Sequence, residues 1–101
     1  MYDEYIILYD FRCTGSITII HYDRLGSQPL HDMKALKLKG KKYRNIRKLS
    51  SNREIIRVRS EGNCCWRVFN RIGHTGQIQK ISPGFDEKPN IKIKSVTRTS
   101  C

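Results

Sequence analysis

Short stretches in which apolar and polar residues alternate recur along the whole chain, and turns rich in glycine, proline or serine separate them. Alternation over five to seven residues, with many β-branched and aromatic side chains, predicts β-strands. The predicted strands are Tyr5–Tyr9, Ser16–Tyr22, Ala35–Lys39, Ile55–Arg59, Cys64–Phe69, Gln77–Ile81 and Asn90–Val96. Met33–Lys39 could also form a short helix, but its alternation of leucine and lysine favours a strand. The pattern predicts an all-β protein, a small sandwich or barrel.

The same alternation predicts which side chains face solvent. If Leu36 and Leu38 point into the core, Lys37 and Lys39 point outward, because successive residues of a strand face opposite sides of the sheet. Ile56 and Val58, and likewise Ile91 and Ile93, are expected to point inward. The neighbouring cations expected to point outward are Arg57, Arg59, Lys92 and Lys94.

The length and composition predict one folded domain that covers residues 1–101. A chain of 101 residues is long enough for a single hydrophobic core. Its hydrophobic fraction of 38% and its five tyrosines, three phenylalanines and one tryptophan exceed what a disordered chain carries. No apolar run is long enough to form a membrane-spanning helix.

The net charge of +11 is concentrated in one part of the chain. Residues 34–60 hold eleven basic residues and one acidic residue, whereas residues 1–33 carry a net −3 and residues 61–101 a net +4. Such a segment can simply keep the protein soluble, or it can bind an anionic partner that offsets the self-repulsion. The candidate binding residues are Lys37, Lys39, Lys41, Lys42, Arg44, Arg47, Lys48, Arg57, Arg59, Lys92 and Lys94.

An even number of cysteines in a chain of this size favours disulfide bonds and an oxidising compartment. The four are Cys13, Cys64, Cys65 and Cys101, and a bridge between the adjacent pair is disfavoured by geometry. Cys101 is therefore expected to pair with Cys64 or Cys65, and Cys13 with the other. A reduced protein with buried thiols is the alternative. The cysteine spacing does not suit zinc, and the expected localisation is extracellular.

The segment 64–98 resembles one Greek-key motif of the βγ-crystallin family. Phe69 and Gly76 match the family's aromatic residue and glycine, Pro83-Gly84 its turn, and Ser95 the serine of its closing strand. The resemblance implies that Gly76 adopts a positive φ in a hairpin folded onto the sheet, and that Ser95 hydrogen-bonds this hairpin. It also implies that Trp66 and the phenylalanine pack in the core.

A second copy of the motif is expected in the first part of the chain. Tyr5–Tyr9 is similar to its first strand, Leu36–Tyr43 to its third, and Ile55–Val58 to its fourth, with extra residues near 22–34. Arg57 stands at the position of the family serine. The resemblance thus implies a disulfide-linked sandwich of two Greek-key motifs, residues 4–61 and 62–101, joined by a linker at Arg59–Trp66. Another small β-sandwich is the alternative.

Metal binding and catalysis find little support in the sequence. Many βγ-crystallin relatives bind calcium, but the matching positions Asn90–Ser95 and Asn52–Arg57 place isoleucine, lysine and arginine where hard oxygen ligands are needed. His21, expected to be half exposed, His31, and His74, expected in a surface loop, do not have the spacing of a metal site. We therefore expect no metal, no cofactor, no small-molecule substrate and no enzymatic activity.

The sequence leaves three hypotheses for function. The first is a secreted cationic protein, defence or toxin-like, whose residues 34–59 bind an anionic membrane, polysaccharide or other polyanion. The second is a protein-binding module such as a protease inhibitor, with Tyr22–Lys34 as its binding loop and Leu25 or Leu30 as anchors. The third is a non-catalytic structural protein. The βγ-crystallin family includes lens proteins, toxins and an inhibitor, so the resemblance alone does not choose between them.

Overall fold

The alternating segments form eight strands and one short 3-10 helix in a computed structural model that describes residues 13–23, 32–49 and 53–101. The all-β prediction is confirmed, and Met33–Lys39 is extended, as its alternation indicates. The first half holds β1 (Gly15–Asp23), β2 (Asp32–Leu38), β3 (Lys42–Tyr43), the 3-10 helix (Arg47–Leu49) and β4 (Arg53–Gly62). The second half holds β5 (Cys65–Arg71), β6 (Thr75–Ile81), β7 (Asp86–Glu87) and β8 (Ser95–Thr99).

The strands form two antiparallel sheets, and each half of the chain contributes to both. The first sheet has the order β2-β1-β4-β7 and the second the order β3-β8-β5-β6. In each half the fourth strand returns beside the first, while the short third strand joins the sheet of the other half. This arrangement is consistent with two Greek-key motifs.

The core lies between the two sheets because each long strand turns its alternate apolar residues to the same side. Ile17 and Ile19 of β1 are fully buried, and Ile19 lies opposite Val58 of β4. Trp66 and Val68 of β5 belong to the same buried cluster and come from the second sheet. Burial of these side chains supplies most of the driving force for folding. The remaining members of the buried cluster are Leu38, Ile46, Leu49, Cys64, Ile81, Ile93 and Val96.

Two disulfide bonds, Cys13–Cys64 and Cys65–Cys101, confirm the pairing that excluded the adjacent cysteines. The Cα–Cα distances are 4.9 Å and 5.2 Å. The first bond links the segment before β1 to the segment before β5, and the second links the start of β5 to Cys101, two positions after the end of β8. The paired cysteines are 51 and 36 positions apart in the sequence, so each bond is worth about 4 kcal/mol through the lost entropy of the unfolded chain.

Three predicted strand boundaries are wrong. Leu36–Tyr43 is not one strand, because the chain leaves β2 at Leu38 and enters β3, in the other sheet, at Lys42. β4 continues to Gly62, so the linker between the halves is only Asn63-Cys64. The last strand begins at Ser95 rather than Asn90, because the backbone of Lys94 bonds two different segments: its N–H donates to Phe69 O, and its carbonyl accepts from Ile46 N.

His21 is buried, with 2% of its surface exposed, so the expectation of a half-exposed ring is wrong. The ring lies on the core side of β1, in the row that continues from Ile17 and Ile19. A β-bulge in β4 lies beside it, because Ile20 is opposite Arg57 while His21 is opposite Ile55. As a result Ile55, rather than the predicted Ile56, packs against the buried cluster.

Several expectations fall outside the described residues. They concern the strand Tyr5–Tyr9, the anchors Leu25 and Leu30 of the proposed loop, the ring of His31 and the calcium-motif position Asn52.

Candidate anion-binding face

Acidic residues are unevenly divided between the two sheets. The strands of the first sheet contain five basic and six acidic residues, whereas those of the second contain five basic residues and no acidic one. All six acidic residues of the described part of the chain lie in strands of the first sheet. The basic residues of the second sheet are Lys42, Arg67, Arg71, Lys80 and Arg98.

On the first sheet, the predicted outward-facing cations are exposed but have carboxylate partners. Lys37 Nζ lies 3.6 Å from Glu61 Oε1. Arg57 Nη1 donates to Asp86 Oδ1 at 2.7 Å and to its carbonyl oxygen at 2.8 Å, and Arg59 Nε lies 3.6 Å from the same Oδ1. The hydrogen bond from Arg57, together with the positive charge of both arginines, holds the pKa of Asp86 below its ordinary value of 3.8. These cations are therefore partly neutralised by their own sheet.

On the second sheet, three exposed cations lie in one row across the strands. The register places Lys42 of β3 opposite Thr97 of β8, Thr97 opposite Arg67 of β5, and Arg67 opposite Lys80 of β6. Neighbouring strands are about 4.8 Å apart, so this row spans roughly 14 Å. None of its three cations has an ion-pair partner within residues 13–23, 32–49 and 53–101. The row is a concentrated positive surface on the face turned away from the core.

The hairpin between β5 and β6 folds over one end of this outer face. Ser95 Oγ donates to Arg71 O at 2.6 Å and accepts from His74 N at 3.1 Å, as predicted for the hydrogen bond between this serine and the folded hairpin. Gly76 has a φ of 83°, also as predicted. A side chain at this position would overlap Asn70 Oδ1.

His74 lies in the hairpin loop, as expected, but its ring packs against the sheet rather than extending into solvent. It makes an edge-to-face contact with Phe69, with the ring centroids 5.4 Å apart, and its Nε2 lies 3.0 Å from Val96 O. Phe69 lies on the same side of β5 as Arg67, yet only 6% of its surface is exposed. The hairpin thus covers an aromatic ring on the outer face.

Two isoleucines remain exposed beside the cationic row. Ile78 of β6 lies opposite Phe69 and two residues before Lys80, so it shares the outer face with that lysine. Ile72 is at the tip of the folded hairpin. Their exposed fractions are 59% and 55%. The outer face of the second sheet therefore combines positive charge with exposed aliphatic surface.

The remaining predicted cations lie around β3 or in loops. Lys39 and Lys41 accept hydrogen bonds from Arg98 through their carbonyl oxygens, Lys39 from the guanidinium at 3.2 Å and Lys41 from the backbone N–H at 2.7 Å. Arg44, which follows β3, accepts a hydrogen bond from the backbone N–H of Gly73 in the folded hairpin. Four of the predicted cations, Lys39, Lys41, Lys42 and Arg44, thus lie at or next to one edge of the second sheet. Arg47 and Lys48 lie in the 3-10 helix, and Lys92 and Lys94 in the loop before β8.

Sequence reasoning missed Arg67 and Lys80, two of the three cations of the row. Their segment carries only a moderate net charge, so a count along the chain gives them no special weight. The signal was nevertheless present, because Arg67 stands between Trp66 and Val68, two residues typical of a core. A basic residue between two buried residues of a strand must lie on the outer face.

Within the described part of the chain, no group of three or more histidine, cysteine, aspartate or glutamate side chains is arranged to hold a metal ion. The same part contains no helix that could span a membrane. The chemistry available at the second sheet's outer face is therefore that of cations, hydroxyl groups and aliphatic side chains. Comparisons with protein-family models, with curated proteins and with solved structures give no significant match for this chain.

Proposed function

We propose that this protein binds an anionic surface or polymer through the outer face of its second sheet. The observation that carries the proposal is the charge of that sheet: five basic residues, no acidic residue, and three exposed cations in the row that crosses all four strands. Unpaired like charges at this spacing repel each other, and a polyanion relieves the repulsion while it releases its own counterions.

The role is that of a secreted, cationic protein without catalytic activity, defence or toxin-like. Two disulfide bonds support secretion, since such bonds persist in oxidising compartments. A cationic surface attracts the anionic polymers and lipids that cover cells, which suits a protein acting outside the cell that makes it.

We also propose that the chain is a βγ-crystallin-like protein. The exchange of the short third strands between the sheets supports this proposal. So do the positive φ of Gly76 and the hydrogen bonds of Ser95 to the folded hairpin. The first half gives less support, because Arg57 lies in the middle of β4 opposite Ile20, with its guanidinium on Asp86.

The alternative of a protein-binding module stays a prediction. Its proposed loop, Tyr22–Lys34, has strand residues at both ends, and residues 24–31 lie outside the described part of the chain. Nothing observed in the described residues favours this alternative over the cationic face.

A salt titration with two matched variants tests the proposal. Binding to dextran sulfate is measured across a range of sodium chloride concentrations for the wild type and for a double variant, Arg67→Gln with Lys80→Gln. Each cation that contacts the polymer contributes nearly one unit to the slope of log K against log salt, so the double variant should flatten this slope by about two and bind roughly tenfold more weakly or worse at low salt.

The control is the double variant Lys37→Gln with Arg59→Gln, which removes the same charge from the first sheet. We expect it to change the slope much less, because its cations already have carboxylate partners. Equal losses in the two double variants, binding that does not depend on salt, or no binding at low salt would each contradict the proposal.

A further inference from the structure

We infer that the anionic partner of the second sheet is a lipid bilayer, and that Ile72 and Ile78 enter its interface while the cationic row binds the headgroups. The inference rests on the proposed function, because it names the partner of the same face. Its basis is that the outer face presents three unpaired cations and the exposed Ile78, and that the hairpin folded over this face carries the exposed Ile72 at its tip.

The two exposed isoleucines favour a lipid bilayer over a soluble polyanion as the partner of this face. Ionic binding to a polymer requires only the cations and gains nothing from exposed aliphatic side chains. At a membrane interface, by contrast, apolar side chains enter the boundary between headgroups and acyl chains while neighbouring lysines and arginines remain with the anionic headgroups. Ile78 is two residues from Lys80 on the same face of β6, so both contacts can form at once.

The aromatic residues argue against nucleic acid as the partner. Proteins that bind single-stranded nucleic acid stack bases on exposed aromatic rings. Among the residues that the structure describes, every aromatic side chain is buried or half-buried. On the second sheet, Trp66 is in the core, Phe69 lies under the folded hairpin, and Tyr43 packs against the core, where its hydroxyl accepts a hydrogen bond from Gly40 N.

Hydrogen bonds to the second sheet fix the position of the hairpin that carries Ile72. The folded hairpin that carries Ile72 is held by Ser95 and His74, and the N–H of Gly73 donates to Arg44 O at 2.7 Å. An anchored hairpin loses little conformational entropy when it meets a membrane, so burial of its isoleucine adds to affinity with a small offsetting cost.

The test compares two ligands and two kinds of substitution. Binding is measured to vesicles of phosphatidylcholine and phosphatidylserine in equal parts, and to dextran sulfate. The double variant Ile72→Thr with Ile78→Thr keeps β-branched side chains but removes apolar surface, and we expect its vesicle affinity to fall roughly tenfold. Its affinity for dextran sulfate should not change, which also shows that the variant is folded.

Met33→Thr is the matched control, since Met33 lies in the first sheet and is 59% exposed, like Ile78. It should leave vesicle binding unchanged. A second readout is amide hydrogen exchange: in the wild type, vesicles should slow the exchange of residues 72–78 more than that of β2. This readout does not depend on the stability of any variant.

The outcomes separate the two proposals. If the protein binds dextran sulfate but not the vesicles, the bilayer inference is wrong and the proposed function stands. If it binds neither at low salt, both are wrong. Vesicle binding that is unaffected by the isoleucine substitutions, or exchange that is slowed equally in both sheets, would overturn the assignment of the membrane to this face.

Discussion

The two sheets have the same strand arrangement but different surfaces. In the first sheet, exposed cations on β2 and β4 lie near carboxylates of β4 and β7, and acidic residues outnumber basic ones by one. In the second, five cations occur with no acidic residue. Basic composition alone therefore does not define a binding face, because Lys37, Arg57 and Arg59 have carboxylate partners within their own sheet.

The exchange of third strands increases this difference. β7 belongs to the second half of the chain but brings Asp86 and Glu87 to the first sheet, whereas β3 belongs to the first half and brings Lys42 to the second sheet. If each third strand stayed with its own half, the first sheet would lose its partner for Arg57 and Arg59. The charge asymmetry is thus a property of the topology.

The largest effect should follow the loss of the disulfide that fastens the cationic sheet. The double variant Cys65→Ala with Cys101→Ala should lower the free energy of unfolding by about 4 kcal/mol, because it frees a long loop in the unfolded chain. Urea unfolding measures the loss. Hydrogen exchange of the folded variant should show β8 opening before β1, since the segment after β8 then loses its covalent link to β5.

The matched control for that variant is Cys13→Ala with Cys64→Ala. Its loss of stability should be similar, because loop length enters only as a logarithm, but it should not open β8 selectively. If exchange instead rises uniformly over both sheets in the variant that lacks Cys65 and Cys101, the two sheets open as a single unit. The expected selective opening of β8 would then be wrong.

An intermediate effect is expected where the folded hairpin meets the second sheet. Gly76→Ala should lower the free energy of unfolding by roughly 1–3 kcal/mol, because φ is positive there and the new Cβ would overlap Asn70 Oδ1, which accepts a hydrogen bond from Gln77 N. Gly84→Ala has a similar φ but no atom within 4 Å of its Cβ, so it should cost less. Equal losses in urea unfolding would contradict the proposed overlap.

The sequence allowed most of the strands and part of the site to be predicted. Alternation is a local property, so it located β1, β2, β4, β5 and β6, and the cysteine geometry left two pairings of which one is observed. Very short strands such as β3 and β7 have no such period, because two residues cannot show alternation. Their positions decide which cations are neutralised, and these positions depend on contacts between residues far apart in the sequence.

The charge count along the chain was informative about the total and uninformative about its placement. The segment 34–60 contributes Lys37 and Arg59 to the first sheet and Lys42 to the second, because β2 and β4 lie in one sheet and β3 in the other. Only the register shows that Lys42 aligns with Arg67 and Lys80 from the second half. The composition of the binding face therefore could not be read from one segment.

The smallest effect should be seen at the carboxylate that neutralises the first sheet. Arg57→Gln should raise the pKa of Asp86 towards its ordinary value, because the charged hydrogen bond from the guanidinium is the main cause of the lowered pKa. NMR titration of the side-chain carboxyl measures the change. Lys37→Gln is the control, since its partner is Glu61, and it should leave the pKa of Asp86 where it is.

The sign of the pH dependence follows from that lowered pKa and links it to the comparison of the two sheets. Any stabilisation by the ion pairs of Asp86 is present above the ordinary pKa and is lost as the pH falls through the lower, folded pKa. Protonation then releases Arg57 and Arg59, so the first sheet gains two unpaired cations in acid, whereas the strands of the second sheet contain no carboxylate whose protonation could release a cation. Binding to dextran sulfate in acid should therefore depend less on Arg67 and Lys80 than at neutral pH. If the substitution of Arg67 and Lys80 lowers the affinity for dextran sulfate equally at both pH values, the Asp86 carboxylate does not limit binding by the first sheet.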